Sequence, residues 1–121
     1  MPYVLVVDDD PTVRMMITEF LAVMELESKQ AVNGEQALEM VGDELPALIL
    51  LDLMMPVMNG FTTLSKLHED PRSRGVPVIL LSAVAENDHH MLRLPGVVGI
   101  LQKGNFSVKD LKSMISEAMQ S

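Results

Sequence analysis

Residues 47–60 read ALILLDLMMPVMNG. The apolar run Ala47–Leu51 has the length of a strand, and Asp52 follows it directly. An unbroken run of this kind is typical of a parallel strand that is buried on both faces. The loop after it ends at Asn59-Gly60, where an apolar pattern at helical spacing begins. The stretch therefore predicts a buried strand, a loop and a helix, with a carboxylate at the end of the strand.

Four other segments of the chain have the length of strands. Three are apolar, namely Tyr3–Val7, Val76–Leu81 and Val97–Leu101, and the fourth, Glu27–Val32, is short and polar. A polar strand suits the edge of a sheet, where its outer side meets solvent. Together with Ala47–Leu51, these segments predict five strands.

Helical patterns separate the predicted strands. Residues Asn87–Leu94 predict a short fourth helix, which Pro95-Gly96 would end. The third helix is expected to begin at Gly60. The other three begin at recognisable capping residues, which are Asp10 with Pro11, Asn33 with Gln36, and Ser107 with Asp110.

Strands that alternate with helices imply βα units with right-handed crossovers and helices on both faces of one sheet. The expected fold class is therefore α/β, with a doubly wound five-stranded parallel sheet in the order 2-1-3-4-5, a flavodoxin-like (βα)5 arrangement. This order puts the polar second strand at an edge and the first and third strands at the centre. The chain has 121 residues and no visible repeat or linker, so one domain is expected over residues 1–121.

Composition excludes several classes of function. The chain has no cysteine, which rules out disulfide scaffolds, Cys-ligated metal sites and thiol nucleophiles. The net charge is -8 and aromatic residues make up only 3%, so direct nucleic-acid binding is not expected. No apolar run approaches the ~20 residues of a membrane helix, and no signal peptide is visible. The chain is therefore expected to be cytoplasmic and not bound to a membrane.

Polar residues follow most of the predicted strands. In an open α/β sheet, sites form beyond the carboxyl ends of the strands, at the point where the strand order reverses. Asp10 fits the role of a helix cap. The residues expected to converge at this end of the sheet are Asp8 and Asp9 after the first strand, Asp52 after the third, Ser82 after the fourth, and Lys103 after the fifth.

This set of residue types suits the binding of a cation and a phosphoryl group. Clustered carboxylates repel one another, and a divalent ion relieves the repulsion. Mg2+ prefers oxygen ligands and keeps several waters, so two carboxylates and one carbonyl are enough to hold it. The ion would offset the charge of a phosphoryl group, while a lysine and a hydroxyl bind the remaining oxygens. The residues thus suggest a site that accepts a phosphoryl group, with Asp52 at its centre.

The chain closely resembles the receiver domain of two-component response regulators. The resemblance extends from the first strand to the last helix. Each motif alone is a weak signal, and their order and their positions at strand ends make the combination specific. The motifs are Val6-Val7-Asp8-Asp9-Asp10-Pro11, Leu51-Asp52-Leu53-Met54-Met55-Pro56 through Asn59-Gly60, Leu81-Ser82-Ala83, and Lys103.

The resemblance implies roles for the acidic residues. Asp52 would be the phosphoacceptor and would form an aspartyl phosphate. Asp8, Asp9 and Asp52 would hold Mg2+, with Asp9 the more direct ligand of the first two. The backbone carbonyl of Met54 would complete the protein ligands.

The resemblance also implies how the phosphoryl group arrives and what it does. Ser82 and Lys103 would bind its oxygens, and Ser82 would shift toward it on activation. The donor would be a sensor histidine kinase or a phosphotransfer protein, and small acyl phosphates often substitute. Such a domain catalyses its own phosphorylation and dephosphorylation and no other reaction. A downstream protein would dock on the face formed by the predicted fourth helix, the fifth strand and the fifth helix.

Three features depart from the usual receiver pattern. Gly104 follows Lys103 where the family usually has proline, often after a cis peptide, so the placement of Lys103 is open. Ile100 stands where the family often has an aromatic residue that turns inward, and its stiff side chain predicts a smaller switch. Met54 and Val84 lie where the family admits the hydrolytic water. Because both are apolar, slow self-dephosphorylation is expected.

Two alternative functions fit parts of the sequence. A degenerate receiver would no longer accept a phosphoryl group and would act as a scaffold, which Gly104 and Ile100 leave open. The segment Asp8-Asp9-Asp10-Pro11-Thr12 also matches the Asp-x-Asp-x-Thr pattern of haloacid-dehalogenase-type phosphatases. In that family Asp8 would be the nucleophile and Asp10 the acid/base. The late acidic pair of that family is missing after Lys103, which disfavours this alternative.

Overall fold

The structure, a computed structural model, describes residues 3–83, 91–104 and 106–120. Its strands form one parallel sheet in the order 2-1-3-4-5, which confirms the predicted fold class. The polar second strand lies at an edge, as its sequence indicates. The strands are β1 (Val4–Val7), β2 (Ser28–Ala31), β3 (Leu48–Asp52), β4 (Val78–Ser82) and β5 (Val97–Gln102).

Four helices lie within the described residues: α1 (Pro11–Val23), α2 (Gly34–Asp43), α3 (Gly60–Glu69) and α4 (Val108–Gln120). The helix α4 is the one predicted as the fifth. The predicted fourth helix, Asn87–Leu94, falls largely on residues 84–90, which lie outside the described part of the chain. Its described end forms a single 3-10 turn at Met91–Arg93. None of the helices in the described ranges combines the length and hydropathy that a membrane-spanning segment requires.

Side-chain caps fix the start of each α-helix. The side chains of Asp10, Asn33 and Asn59 accept hydrogen bonds from N–H groups of the first turns of α1, α2 and α3. At α4 the predicted capping box is complete, since Ser107 and Asp110 each accept from the other's N–H. The box predicted at α2 is only half formed, because the Gln36 side chain accepts from the N–H of Val32 and not from that of Asn33.

Successive residues of the strands enter two separate cores, one on each face of the sheet. One core joins Leu5, Val7, Ile49, Leu51 and Leu80 to Ala37 and Val41 of α2 and to Leu64 and Leu67 of α3. The other joins Val4, Val6, Leu48, Leu50, Ile79 and Leu81 to Ile17 and Leu21 of α1 and to Leu111 and Ile115 of α4. Because β1 and β3 are packed from both sides, the residues at their carboxyl ends have fixed positions.

Glu25, just after α1, has an unusual backbone conformation. Its φ is 61°, in the left-handed region that favours glycine. The N–H groups of Glu25 and Leu26 donate to the carbonyl oxygens of Ala22 and Leu21, which is the Schellman pattern of helix ends. The turn satisfies the carbonyl groups at the end of α1, but it puts a residue with a Cβ into the left-handed conformation, which is strained.

We expect Glu25→Gly to raise the free energy of unfolding by about 0.5–1 kcal/mol, because relief of the left-handed strain exceeds the entropic cost of glycine. Urea unfolding measures the change. Glu27→Gly is the matched control, since Glu27 is also exposed and its φ is not positive. That substitution should destabilise the protein, and equal effects at both positions would contradict strain at Glu25.

Candidate functional site

The carboxyl ends of the central strands bring the predicted site residues to one edge of the sheet. Asp8 follows β1, Asp52 ends β3, Ser82 ends β4, and Lys103 follows β5. The registers place these ends side by side, with Asp52 opposite Leu81. The Lys103 N–H donates to the Ser82 main-chain oxygen at 2.6 Å, which ties the loop after β5 to the end of β4.

Lys103 joins two buried carboxylates. Its Nζ lies 2.8 Å from Oδ2 of Asp8 and 2.9 Å from Oδ1 of Asp52. Asp8 is 0% exposed and Asp52 is 2% exposed, so the solvent screens these charges little. Oδ1 of Asp52 also accepts from the Met54 N–H at 3.2 Å, and Oδ1 of Asp8 accepts from the Asp10 N–H at 2.9 Å. Three of the four carboxylate oxygens therefore have a partner, and Oδ2 of Asp8 has it through the ion pair with Lys103.

The fourth oxygen, Oδ2 of Asp52, is buried and has no hydrogen-bond partner among the described residues. A buried acceptor without a partner is destabilising, and such groups in folded proteins commonly mark a place where a ligand binds. Oδ2 is also the oxygen of Asp52 that Lys103 and the Met54 N–H leave free to react.

The electrostatics of the site follow from burial. Burial raises the pKa of Asp52 to about 6, and the negative charge of Asp8 adds to the rise, while Lys103 and the Met54 N–H oppose it. Burial alone would lower the pKa of Lys103, but its hydrogen bonds to Asp8 and Asp52 outweigh burial and raise that pKa above its usual value. Lys103 is therefore protonated at neutral pH, whereas Asp52 is held in its charged form at a cost.

Asp9 completes a cluster of three acidic residues. One carboxylate oxygen from each of Asp8, Asp9 and Asp52 can be chosen so that all lie within 4.8 Å of one another. Asp9 is exposed, in contrast to the two others. An all-oxygen donor set with a buried, unpartnered oxygen fits a hard divalent cation that keeps part of its water shell. Met54 lies beside this cluster through its N–H, and a role for its carbonyl stays a prediction.

Gly104 explains how Lys103 reaches the site without the proline usual in receivers. The peptide between Lys103 and Gly104 is trans, and Gly104 has a φ of 76°. Proline is locked near a φ of about -65° and cannot form this turn. The glycine therefore supports a different loop, and this loop places the Lys103 ammonium between the two carboxylates. The structure answers the question that the sequence left open about Lys103.

Gly60 packs against the main chain of Asp52 and Leu53. The sequence pattern predicted a helix start at Gly60 but not this contact. The Gly60 N–H donates to the Leu53 main-chain oxygen at 3.0 Å. A Cβ at Gly60 would lie 2.8 Å from the Leu53 Cα and still closer to the Asp52 main-chain oxygen. The absence of a side chain thus lets α3 begin directly against the end of β3. The sequence feature that could have indicated this contact is the pair Asn59-Gly60, in which Asn59 caps α3 and glycine is its first residue.

A model of the response regulator receiver domain family matches residues 4–116. The chain therefore belongs to this family, the receiver domains of two-component systems. Among curated proteins, it is 44% identical over 82 residues to the response regulator PleD of Caulobacter vibrioides, a match that covers 67% of this chain and 18% of PleD. It is 35% identical over 86 residues to the DNA-binding dual master transcriptional regulator RpaA of Synechocystis, covering 71% of this chain and 36% of RpaA.

The matches thus span about a third or less of these relatives. Among solved structures, the chain is similar to the chemotaxis protein CheY4 of Vibrio cholerae, with 25% identity, a TM-score of 0.87 and 98% of each chain covered. The similarity covers the whole doubly wound sheet.

We expect Gly60→Ala to lower the free energy of unfolding by about 2–3 kcal/mol, because the added methyl group collides with backbone that cannot move without displacing Asp52. Gly42→Ala in α2 is the matched control, since no atom lies within 4 Å of its added Cβ. That change should stabilise the protein by up to about 1 kcal/mol. Urea unfolding compares the two, and similar effects would refute the close contact at Gly60.

Asp52→Asn should stabilise the protein in a pH-dependent way when no Mg2+ is added. Because folding raises the pKa of Asp52 to about 6, its stabilising contribution is complete below about pH 4 and is lost as the pH rises through about 6. At pH 7 the variant should be more stable by about 1–2 kcal/mol, which is less than the full pKa shift implies because the substitution also removes the ion pair of Asp52 with Lys103. At pH 4 the two proteins should be nearly equal.

Urea unfolding at both pH values measures this difference. Glu39→Gln, which removes the same charge from an exposed position on α2, is the control and should change stability little at either pH. A gain for Asp52→Asn that is the same at pH 4 and pH 7 would contradict a raised pKa as its cause.

Proposed function

We propose that this receiver domain accepts a phosphoryl group on Asp52 from a sensor histidine kinase or a phosphotransfer protein, in a Mg2+-dependent reaction, and that phosphorylation switches the binding of a downstream protein. The observation that carries the proposal is the state of the Asp52 carboxylate. Lys103 and the Met54 N–H hold Oδ1, while Oδ2 is buried without a partner beside two further carboxylates. This arrangement leaves one oriented oxygen for attack on phosphorus.

In the proposed reaction, Oδ2 of Asp52 forms a bond to phosphorus as the bond from phosphorus to the donor nitrogen breaks. The electron pair of the broken bond stays on the donor nitrogen, and the histidine ring takes up a proton from water and leaves as a neutral imidazole. Phosphoryl transfer depends mainly on positioning and on the offset of negative charge. The fixed end of β3 positions Asp52, and the Lys103 ammonium offsets part of the negative charge.

Asp8, Asp9, Asp52 and the carbonyl of Met54 would hold Mg2+. When bound, the ion neutralises negative charge on the carboxylates and on the entering phosphoryl group. Lys103 would exchange its contact with Asp52 for a phosphoryl oxygen while keeping its contact with Asp8, which fixes the ammonium from the other side. Ser82, at the end of β4, would donate its hydroxyl to another phosphoryl oxygen.

The domain would catalyse its own phosphorylation and dephosphorylation and no other reaction. Slow dephosphorylation stays a prediction. Met54 is apolar and 75% exposed, and Val84 lies outside the described residues. The proposed docking face is described only in its β5 and α4 parts, where Val98 and Met119 are exposed. A location in the cytoplasm also stays a prediction.

Incubation with acetyl phosphate and Mg2+, followed by intact-mass measurement, tests the phosphoacceptor. We expect a gain of one phosphoryl group that requires Mg2+ and that Asp52→Asn abolishes. Asp10→Asn is the matched control in the neighbouring loop, because Asp10 is exposed and asparagine caps a helix as well as aspartate does. This variant should be phosphorylated to the same extent as the unaltered protein.

The same series separates the alternatives. Modification that survives in Asp52→Asn but is lost in Asp8→Asn would favour the phosphatase-type nucleophile. A chain that neither gains a phosphoryl group from acetyl phosphate or a phosphorylated histidine donor nor binds Mg2+ would be a scaffold receiver. The structure supports the receiver function over the first alternative, because both oxygens of Asp8 are engaged, one with the Asp10 N–H and the other with Lys103.

A further inference from the structure

Arg14 lies in α1 and reaches back to the loop that carries the acidic residues. Its Nη1 donates to the main-chain oxygen of Asp8 at 2.6 Å, and its Nε donates to Oε1 of Gln30 at 2.9 Å. Two hydrogen bonds from one planar guanidinium fix its orientation. Gln30 belongs to β2, which pairs with β1 along its whole length, so Arg14 is anchored to the sheet.

The contact bears directly on Asp9. The carbonyl that Arg14 binds belongs to the peptide that joins Asp8 to Asp9. The next peptide, which joins Asp9 to Asp10, is held by the hydrogen bond from the Asp10 N–H to Oδ1 of Asp8. Both peptides that flank Asp9 are therefore fixed. Within the described ranges, no hydrogen bond to the Asp9 carboxylate itself is found, so these backbone contacts fix the Cα of Asp9 and the direction of its side chain at Cβ.

We propose that Arg14 is a positioning residue for the acidic pocket, and that its hold on the Asp8 main-chain oxygen orients Asp9 toward the divalent cation. The inference rests on the proposed function, because it concerns the cation that the three carboxylates would bind. Arg14 touches neither the cation nor the phosphoryl group in this proposal and acts through the peptide between Asp8 and Asp9.

The charge of Arg14 by itself predicts the opposite effect on Mg2+ binding. A guanidinium beside an acidic pocket repels an entering cation, so its removal would leave the pocket more negative and strengthen Mg2+ binding. Loss of the fixed peptide would instead let Asp9 move and would weaken binding. The direction of the change therefore distinguishes a positioning role from a purely electrostatic one.

The test is a Mg2+ titration of the full chain, followed by the amide shifts of residues 8–10 and 52–54. We expect Arg14→Ala to weaken binding about tenfold, the usual loss when a group that orients a metal ligand is removed. Gln30→Ala, which leaves the charge of Arg14 in place and removes its anchor, should cause a smaller loss in the same direction. Arg14→Lys can donate one hydrogen bond to the Asp8 oxygen and should restore part of the affinity.

A second readout needs no metal. Without Mg2+, the Asp10 amide should exchange its hydrogen faster in Arg14→Ala, because the loop that holds it has lost the contact of Arg14 with the Asp8 main-chain oxygen. The Leu50 amide in the buried centre of β3 should keep its protection, which shows that the fold is intact. Arg72→Ala is the control for charge, since Arg72 is exposed and pairs with Asp70 at the surface. It should leave both Mg2+ binding and Asp10 exchange unchanged.

Unchanged or tighter Mg2+ binding by Arg14→Ala, with Leu50 still protected, would overturn the role of Arg14 and leave the proposed function standing. If the unaltered protein did not bind Mg2+, the proposed function and this inference would both fail. Weaker binding by Arg14→Ala together with faster exchange at Asp10 supports the inference, and partial rescue by Arg14→Lys supports it further.

Discussion

One ammonium group shared by two buried carboxylates organises the functional end of this protein. Lys103 contacts Asp8 and Asp52 at once, and both carboxylates are almost completely buried. Two negative charges against one positive charge leave an excess of negative charge at this contact. Burial of that excess charge raises the pKa of Asp52. The charged form of Asp52 therefore lowers the stability of the folded state.

The same imbalance connects stability to function. A core of this type could be made more stable by apolar residues in place of the acids, and proteins commonly lose such stability at their functional sites. In the proposed function, the unbalanced charge would attract a divalent cation and the unpartnered oxygen of Asp52 would react. The two apolar cores fix the strands that carry Asp8 and Asp52, and so hold the two carboxylates close together against their mutual repulsion.

The sequence was sufficient for the order of the sheet and for the four helices that the structure describes, because apolar runs and helix caps are local signals. It placed the strand before Asp52 and the edge strand before Asn33 within one or two residues. It could not settle the reach of Lys103, because that depends on the positive φ of Gly104, and it could not show the strain at Glu25 for the same reason. Arg14 was missed because an arginine in a helical pattern usually points to solvent, and only its tertiary contact with Asp8 distinguishes it.

Several of the contacts that position the loops of the site are made by backbone groups. Gly60 packs against the main chain of Asp52, Arg14 holds the main-chain oxygen of Asp8, and the Lys103 N–H bonds to the main chain at Ser82. Backbone groups therefore position the loops that carry the acidic side chains. A related chain could therefore keep all three acids and the lysine, retain the fold, and still lose the geometry through a change at Gly60 or Arg14. The sequence over residues 4–116 identifies the family, whereas the groups behind the acidic residues position their carboxylates relative to one another.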